Sequence, residues 1–560
     1  MSRLSVPPNF IGTSSADTIV GEELNAPLAI GIEILSKGSI DTRSGKDTIK
    51  GTGNGTNGDD GIDGGMDGAG DGGNGGTGTG IANSGNLNTE KENDNIIGTG
   101  NGGNGGDGIM FRSRGGTSGS GTGIANSASL NTGSGNDTLT GTGNGGDAGS
   151  DYGNPVYGGS GTGINNSGTI NTGSGKDTIA GTGNGGYSDV FGGNGTGISN
   201  SKELDTQDGE DTITGIGTGG GGGEGAGTGT GINNSGSINT GSGEDTITGT
   251  GNGGGTGTGI NNSGSINTGS GKDTIAGTGN GGNGGNGSNG NNYAYGGSGT
   301  GINNSKELDT QDGEDTITGI GTGGSGGNAN FTIYGGTGTG INNSGSINTG
   351  SGKDTITGTG NGDNKGSSSG SSGAGTGIEN IKNAAITTGS DKDTIIGYGN
   401  SLGENATAYG IFNDGLIDTG DSCDKLTGQA TTTIGGTAYG IYGQGTINTG
   451  NGDDEITATS IIGGVQQKVS IGGGIKIDLG TGDDFFKGFG GASVNGGDGF
   501  DTLDLGTFKR SELLGSGVIS GNPLNSANFS FNGISLSTTG FEKFIFADSS
   551  VDYSNLVNGA

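Results

Sequence analysis

The sequence predicts an all-β protein: a long right-handed parallel β-helix, or β-solenoid, with one coil per repeat and a cap at each end. Three observations carry this prediction. First, the phrase Gly-Thr-Gly-Thr-Gly-Ile-Asn-Asn-Ser-Gly-Ser-Ile-Asn-Thr-Gly-Ser-Gly stands at 227–243, 255–271 and 336–352, and looser copies cover most of the chain. Second, each copy sets two isolated isoleucines (Ile260 and Ile266) between turn-formers, then a Gly-x-Gly-x-Asp turn, then a third isoleucine, Ile275. Short β-prone pieces with one or two inward apolar residues, separated by Gly/Asn/Ser corners, are what one solenoid coil requires. Third, only 24% of the 560 residues are hydrophobic while 150 are glycine, too little apolar material for a globular core but enough for a narrow stacked one.

Two glycine-rich alternatives fail. Collagen needs a Gly-X-Y period and abundant proline, and this chain has five prolines and no such period. Disorder does not keep isoleucines in register. The net charge of −34, with Lys+Arg at 23, argues against nucleic acid or an anionic membrane as partner and for divalent cations. No apolar run reaches the roughly 18–20 residues of a membrane span. Met1-Ser2-Arg3-Leu4-Ser5-Val6-Pro7-Pro8 lacks an apolar signal core, so no cleavable secretory leader is expected. A single cysteine, Cys423, rules out an intramolecular disulfide framework.

Residues 1–29 hold three of the five prolines and one echo of the repeat, Asp17-Thr18-Ile19, and are expected to cap the first coil. Residues 30–505 are the repeats. Their turn aspartates run from Asp47 to Asp484, at spacings from 28 (273 − 245) to 47 (94 − 47) residues. Gly-Ile to Asp is nearly constant, as from Gly259 to Asp273, so the length variation falls after the third strand. A 28-residue coil divides into three strands, each pairing with its copy about 4.8 Å away. The extra residues are Gly/Asn-rich and carry aromatics (Met110-Phe111, Tyr152/Tyr157, Tyr187/Phe191, Tyr293/Tyr295, Phe331/Tyr334), so they should form a row along one edge. Such aromatics either stack on sugars or, the plainer expectation, fold back or form a fourth short strand. Residues 201–220 and 305–324 are identical, the mark of recent duplication. Residues 506–560 carry six phenylalanines and no further Gly-x-Gly-x-Asp, which predicts a denser C-terminal cap.

The turn is where chemistry is expected. In Gly269-Ser270-Gly271-Lys272-Asp273-Thr274-Ile275 the glycines allow a tight fold, the aspartate adds a carboxylate, and Ile275 pins the turn to the core. Calcium takes six to eight oxygens at about 2.3–2.6 Å from carboxylates and carbonyls, and two stacked turns offer such oxygens. Carboxylates stacked about 5 Å apart repel one another, and an intervening cation removes that cost. The other reading makes the aspartates turn residues that bond backbone amides. Lysines beside them (Lys46, Lys176, Lys272, Lys353, Lys392) offer partial screening. Asp59, Asp60, Asp63, Asp67 and Asp71 form a solvated acidic loop without an EF-hand pattern.

Gly496-Gly497-Asp498-Gly499-Phe500-Asp501-Thr502-Leu503-Asp504 resembles the RTX nonapeptide in full. Gly480-Thr481-Gly482-Asp483-Asp484 and Gly450-Asn451-Gly452-Asp453-Asp454 resemble it apart from the first glycine. The resemblance to haemolysin-type, RTX-like proteins implies Ca2+ held between stacked turns and export through a type I machinery by an uncleaved C-terminal signal, here within 506–560. The metal residues it implies are Gly450, Gly452, Asp454, Gly480, Gly482, Asp484, Gly496, Gly497, Gly499 and Asp501, with Asp177, Asp245, Asp273 and Asp354 in the middle repeats. The chain departs from that family in having one turn per coil. The copy at 90–94 lacks glycine, and 207–211 and 311–315 read Gln-Asp-Gly-Glu-Asp. The half-repeat Gly-Ile-x-Asn-Ser-Gly-x-Ile instead resembles the β-helical passengers of bacterial autotransporter adhesins.

The paired asparagines, such as Asn261-Asn262, should stack as ladders. The chain has no histidine and no arginine between Arg114 and Arg510, which leaves acid–base and polysaccharide-cleaving chemistry poorly supplied. An enzyme is therefore not expected. Thr246, Thr248, Thr250 and Asn252 should line an outer strand face, a flat hydroxyl array that resembles those of solenoid antifreeze proteins. The expectation that weighs most is an exported, calcium-binding component of a bacterial cell surface, matrix or adhesion system. Its partners would be calcium ions, cell-surface glycans or other copies of itself.

Overall fold

The computed structural model describes residues 3–62, 70–108, 113–150, 156–223, 225–284, 293–327, 332–363, 371–513 and 525–558. The chain is a parallel β-helix, as its repeats require. One coil consists of the strands Gly257–Asn262, Ser265–Asn267 and Thr274–Asn280. Each pairs in parallel with its copy one repeat on: Ile260 with Ile302, Ile266 with Leu308, Ile275 with Ile317. The three inward apolar residues of each coil, isoleucine or its leucine or phenylalanine replacement, are buried and build one continuous apolar column.

That column is the main apolar core of the repeats, and glycine explains why little more is needed. Beyond Ile260 and Ile275 the first and third strands turn glycines towards each other. A β-carbon at Gly259 would stand 2.3 Å from the Thr278 amide nitrogen, and one at Gly277 would stand 2.3 Å from the Gly301 carbonyl oxygen. The two sheets therefore meet backbone to backbone over half of each coil. Only an absent side chain permits that approach.

Length variation falls between the third strand and the next first strand, where the repeat spacing places it. The inserted segments are ordered in a way that periodicity of apolar residues does not reveal. Gly102, Gly105 and Gly108 donate their amides to the carbonyls of Asn144, Asp147 and Ser150 in the next repeat. Gly103 and Gly106 donate to Gly76 and Gly73 of the preceding one. Bonds at every third residue between extended segments are the packing of polyproline II-type helices, which have three residues per turn. Glycine is obligatory there, since a β-carbon at Gly103 would stand 1.8 Å from the Thr56 carbonyl oxygen.

One pair of the aromatic loop segments takes the fourth-strand form. Tyr293–Tyr295 pairs in parallel with Thr332–Tyr334 as a fourth short strand, and Tyr295 stacks on Tyr334 at 5.0 Å. Tyr157 stacks on Phe191 at 5.1 Å. Met110, Phe111, Tyr152 and Phe331 lie outside the described residues.

Both ends continue the stack. Leu4–Val6, Phe10–Ile11 and Thr18–Ala26 form a coil in register with the one that follows. At the other end Ile534–Thr539 and Phe541–Phe546 add parallel strands, and each then meets an antiparallel neighbour, Ala527–Phe531 and Ser550–Asp552. Phe508, Phe529, Phe541 and Phe544 are buried beneath them, the dense aromatic end that the composition of 506–560 predicts.

Candidate functional site

The corner between the second and third strands carries the densest array of ionisable groups. In the turn before Thr274–Asn280, Gly269 and Gly271 adopt φ of +79° and +145°, which side chains rarely tolerate. This tight path turns Asp273 inward, and the residue is fully buried. Its Oδ1 accepts the Asp245 amide at 2.8 Å, while its own amide donates to Asp315 Oδ1 at 2.8 Å. The pattern runs without a break from the Asp17 amide, bonded to Asp47, to the Asp501 amide, bonded to Glu542 Oε2. Each bond sews one coil to the next.

The second oxygen has no such partner. From Asp47 to Asp501, every Oδ2 in the row is buried without a hydrogen bond among the described residues. Burial is the main reason the carboxyls from Asp94 to Asp501 rise above their ordinary range. Asp94, Asp177, Asp273, Asp393, Asp454 and Asp484 are pushed up to about 7. Asp211, Asp354, Asp424 and Asp501 are pushed to about 6. At Asp273 the Asp245 amide opposes the rise, as does the nearby Thr268 hydroxyl; Asp315 and Asp245 add to it by repulsion.

All the metal candidates lie on this one row or on the glycines that shape it. Gly450 and Gly452 precede Asp454, Gly480 and Gly482 precede Asp484, and Gly497 and Gly499 precede Asp501, all six glycines at positive φ. Gly496 makes room for Asp501, whose Oδ2 would stand 2.6 Å from a β-carbon there. Asp177, Asp245 and Asp354 occupy the same place in their coils.

The donors do not, however, converge on a point. Calcium asks for six to eight oxygens, and each coil offers one unbonded carboxylate oxygen. Among the described residues no three Asp, Glu, His or Cys side chains cluster to hold an ion. Successive turns also touch, since a β-carbon at Gly269 would stand 1.6 Å from the Gly241 carbonyl oxygen and one at Gly480 would stand 1.8 Å from that of Gly450. The buried row therefore does not fit a calcium shell, and its carboxylates serve as backbone acceptors.

Exposed carboxylates do exist beside the row in the strict copies: Asp453, Asp483 and Asp498. Asp453 and Asp483 each give one oxygen to an amide of the next coil, of Asp483 and Phe500 respectively. The lysines face outward too. Lys176 pairs with Glu210 at 3.0 Å and Lys272 with Glu314 at 4.0 Å. In the acidic loop, Asp60 and Asp71 accept amides of the next repeat, from Asp107 and Arg114; Asp63 and Asp67 lie outside the described residues.

Other ladders reinforce the stack. Asn262 is fully buried and donates to Asn304 Oδ1 at 2.9 Å and to the Glu307 carbonyl at 2.7 Å. Its outward neighbour Asn261 donates the other way along the axis, to Asn233 at 2.8 Å. Sequence reasoning missed a third feature: four aromatic side chains, Tyr409, Phe412, Tyr439 and Tyr442, on the outer face of two neighbouring first strands. The signal was present, because Tyr-Gly-Ile-Phe and Tyr-Gly-Ile-Tyr replace the usual Thr-Gly-Ile-Asn. No protein-family model, no curated protein and no solved structure matches this chain.

Proposed function

We propose that this chain is an exported structural component of a bacterial cell surface or matrix, a stiff acidic rod with an adhesive role. The observation that supports it is the unbroken ladder of backbone and side-chain bonds linking coil to coil. From Asp17 to Asp501 the row takes fourteen steps, roughly 70 Å at about 4.8 Å each. Each coil contacts chiefly its neighbours, so length is added by duplication without redesign. A net charge of −34 keeps such rods soluble and apart. Calcium belongs to this reading as a loose counter-ion of the exposed Asp453, Asp483 and Asp498, which build no closed shell among the described residues, and export through residues 506–560. In cells that make the protein, protease added to intact cells should remove it before any cytoplasmic marker. Protection until lysis would overturn the reading.

One observation favours a second reading. Thr246, Thr248 and Thr250 stand in register with Thr274, Ala276 and Thr278, and the column continues through neighbouring coils. That face is a regular hydroxyl array fit for ice or another flat lattice, although Ile216 and Ile320 interrupt it. Thermal hysteresis of the purified protein tests it, and freezing at the equilibrium point excludes it.

A further inference from the structure

The two outward positions of a first strand are normally threonine and asparagine, as Thr339 and Asn342 in Gly338–Asn343. Over the next three coils both change, the asparagine position first. Thr376 is followed by Tyr409 and Tyr439 in one column, and Glu379 by Phe412 and Tyr442 in the other. All four rings are half-buried on the outer face of the sheet. Tyr409 lies parallel to Tyr439 (6.3 Å, 11°), and Phe412 lies against Tyr442 (5.7 Å, 27°). Tyr409 and Phe412 meet edge to face (5.4 Å, 75°), so the two columns form one cluster.

The coil beyond makes room for the rings, which pack over the buried Gly472. Tyr442 pairs with Gly472, where a β-carbon would stand 2.7 Å from Tyr442 Cδ2 and 3.0 Å from Tyr439 Cε1. A β-carbon at Gly474 would meet nothing within 4 Å. The aromatic columns therefore end at a glycine step. Polar groups stand around the rings without partners. Among the described residues, neither the three tyrosine hydroxyls nor the Glu379 carboxyl makes a hydrogen bond, and burial followed by repulsion from Asp414 raises Glu379.

We propose that Tyr409, Phe412, Tyr439 and Tyr442, with Glu379, form a binding platform for the pyranose rings of a neutral polysaccharide. The proposal rests on the adhesive reading above and names its ligand class. Aromatic rings offer apolar faces to the C–H faces of sugars. A carboxyl and free phenols supply the few placed polar groups that orient a ligand. The acidic surface, with Glu379 and Asp414 at the platform, disfavours polyanions.

The test is affinity electrophoresis of the full chain in native gels containing hydroxyethyl cellulose, soluble starch or galactomannan, with polygalacturonate as the anionic control. The variant Tyr439→Thr/Tyr442→Asn restores the residues that other repeats carry, so the coil should keep its fold, which far-UV circular dichroism and melting confirm. At least one neutral polysaccharide should retard the protein, the variant should lose at least tenfold in affinity, and Glu379→Gln should lose several-fold. Absence of retardation by all three, retardation unchanged in the variant, or preference for polygalacturonate would overturn the platform. A surface-exposed protein that binds no neutral polysaccharide refutes the platform alone. A protein shielded from protease in intact cells refutes the parent reading whatever the gels show.

Discussion

Replacing Asp273 with asparagine isolates the chemistry of the buried row. Burial lifts Asp273 from its ordinary value of 3.8 to about 7. At about 1.4 kcal/mol per unit, holding it ionised in the folded chain costs about 4 kcal/mol. The folded state binds the proton more tightly than the unfolded one, so this group's stabilisation is complete below about pH 4 and is lost as pH rises through 7. Between pH 8 and pH 5 the gain is about 3 kcal/mol for this one residue. Asparagine keeps an oxygen for the Asp245 amide, with no charge to bury. Guanidinium unfolding of both proteins at pH 5 and pH 8 gives the result. The wild type should be the more stable at pH 5, and Asp273→Asn should narrow the difference between the two pH values by about 3 kcal/mol. A wild type more stable at pH 8, or a variant weakened equally at both, would refute the argument that the row folds by taking up protons.

Three further outcomes follow from the same geometry. Asn262→Ala removes donors to Asn304 and Glu307 and an acceptor for Asn234, so it should cost about 3 kcal/mol in guanidinium melts, whereas the outward Asn261→Ala should cost under about 1 kcal/mol. Gly259→Ala forces a β-carbon to 2.3 Å from the Thr278 nitrogen and should cost about 3 kcal/mol or more; Gly491→Ala, with nothing within 4 Å, should be near neutral in the same guanidinium melts. Calcium at about 10 mM should leave the β-signal in circular dichroism as it is in chelator, since no calcium shell is built into the buried row. A cooperative rise in melting point with calcium, absent with magnesium, would show that the exposed Asp453, Asp483 and Asp498 gather an ion.

The fold was legible because its determinants are local and repeated. Ile260, Ile266 and Ile275 recur at spacings that only a coil satisfies, and the constant stretch from Gly259 to Asp273 fixes two of the three strands. The candidate site was legible in position but not in direction. Gly-x-Gly-x-Asp encodes a tight turn ending in a carboxylate, and that turn has two uses. The carboxylate can point out to share an ion with its neighbours, or point in to accept an amide from the adjacent coil. Local sequence is the same for both, and the spacing between coils decides. Here Gly269 sits against the Gly241 carbonyl, which leaves no room between turns, and the Asp245 amide lies 2.8 Å from Asp273 Oδ1. The inserted glycine segments were hidden for a related reason. Their order lies in bonds such as Gly103 to Gly76, made by residues that carry no side chain to set a period. The aromatic platform escaped because reading for what repeats overlooks Tyr409 and Tyr439, which depart from the repeat. In a solenoid the core is written in the consensus, while anything that recognises a partner must be written in the departures from it.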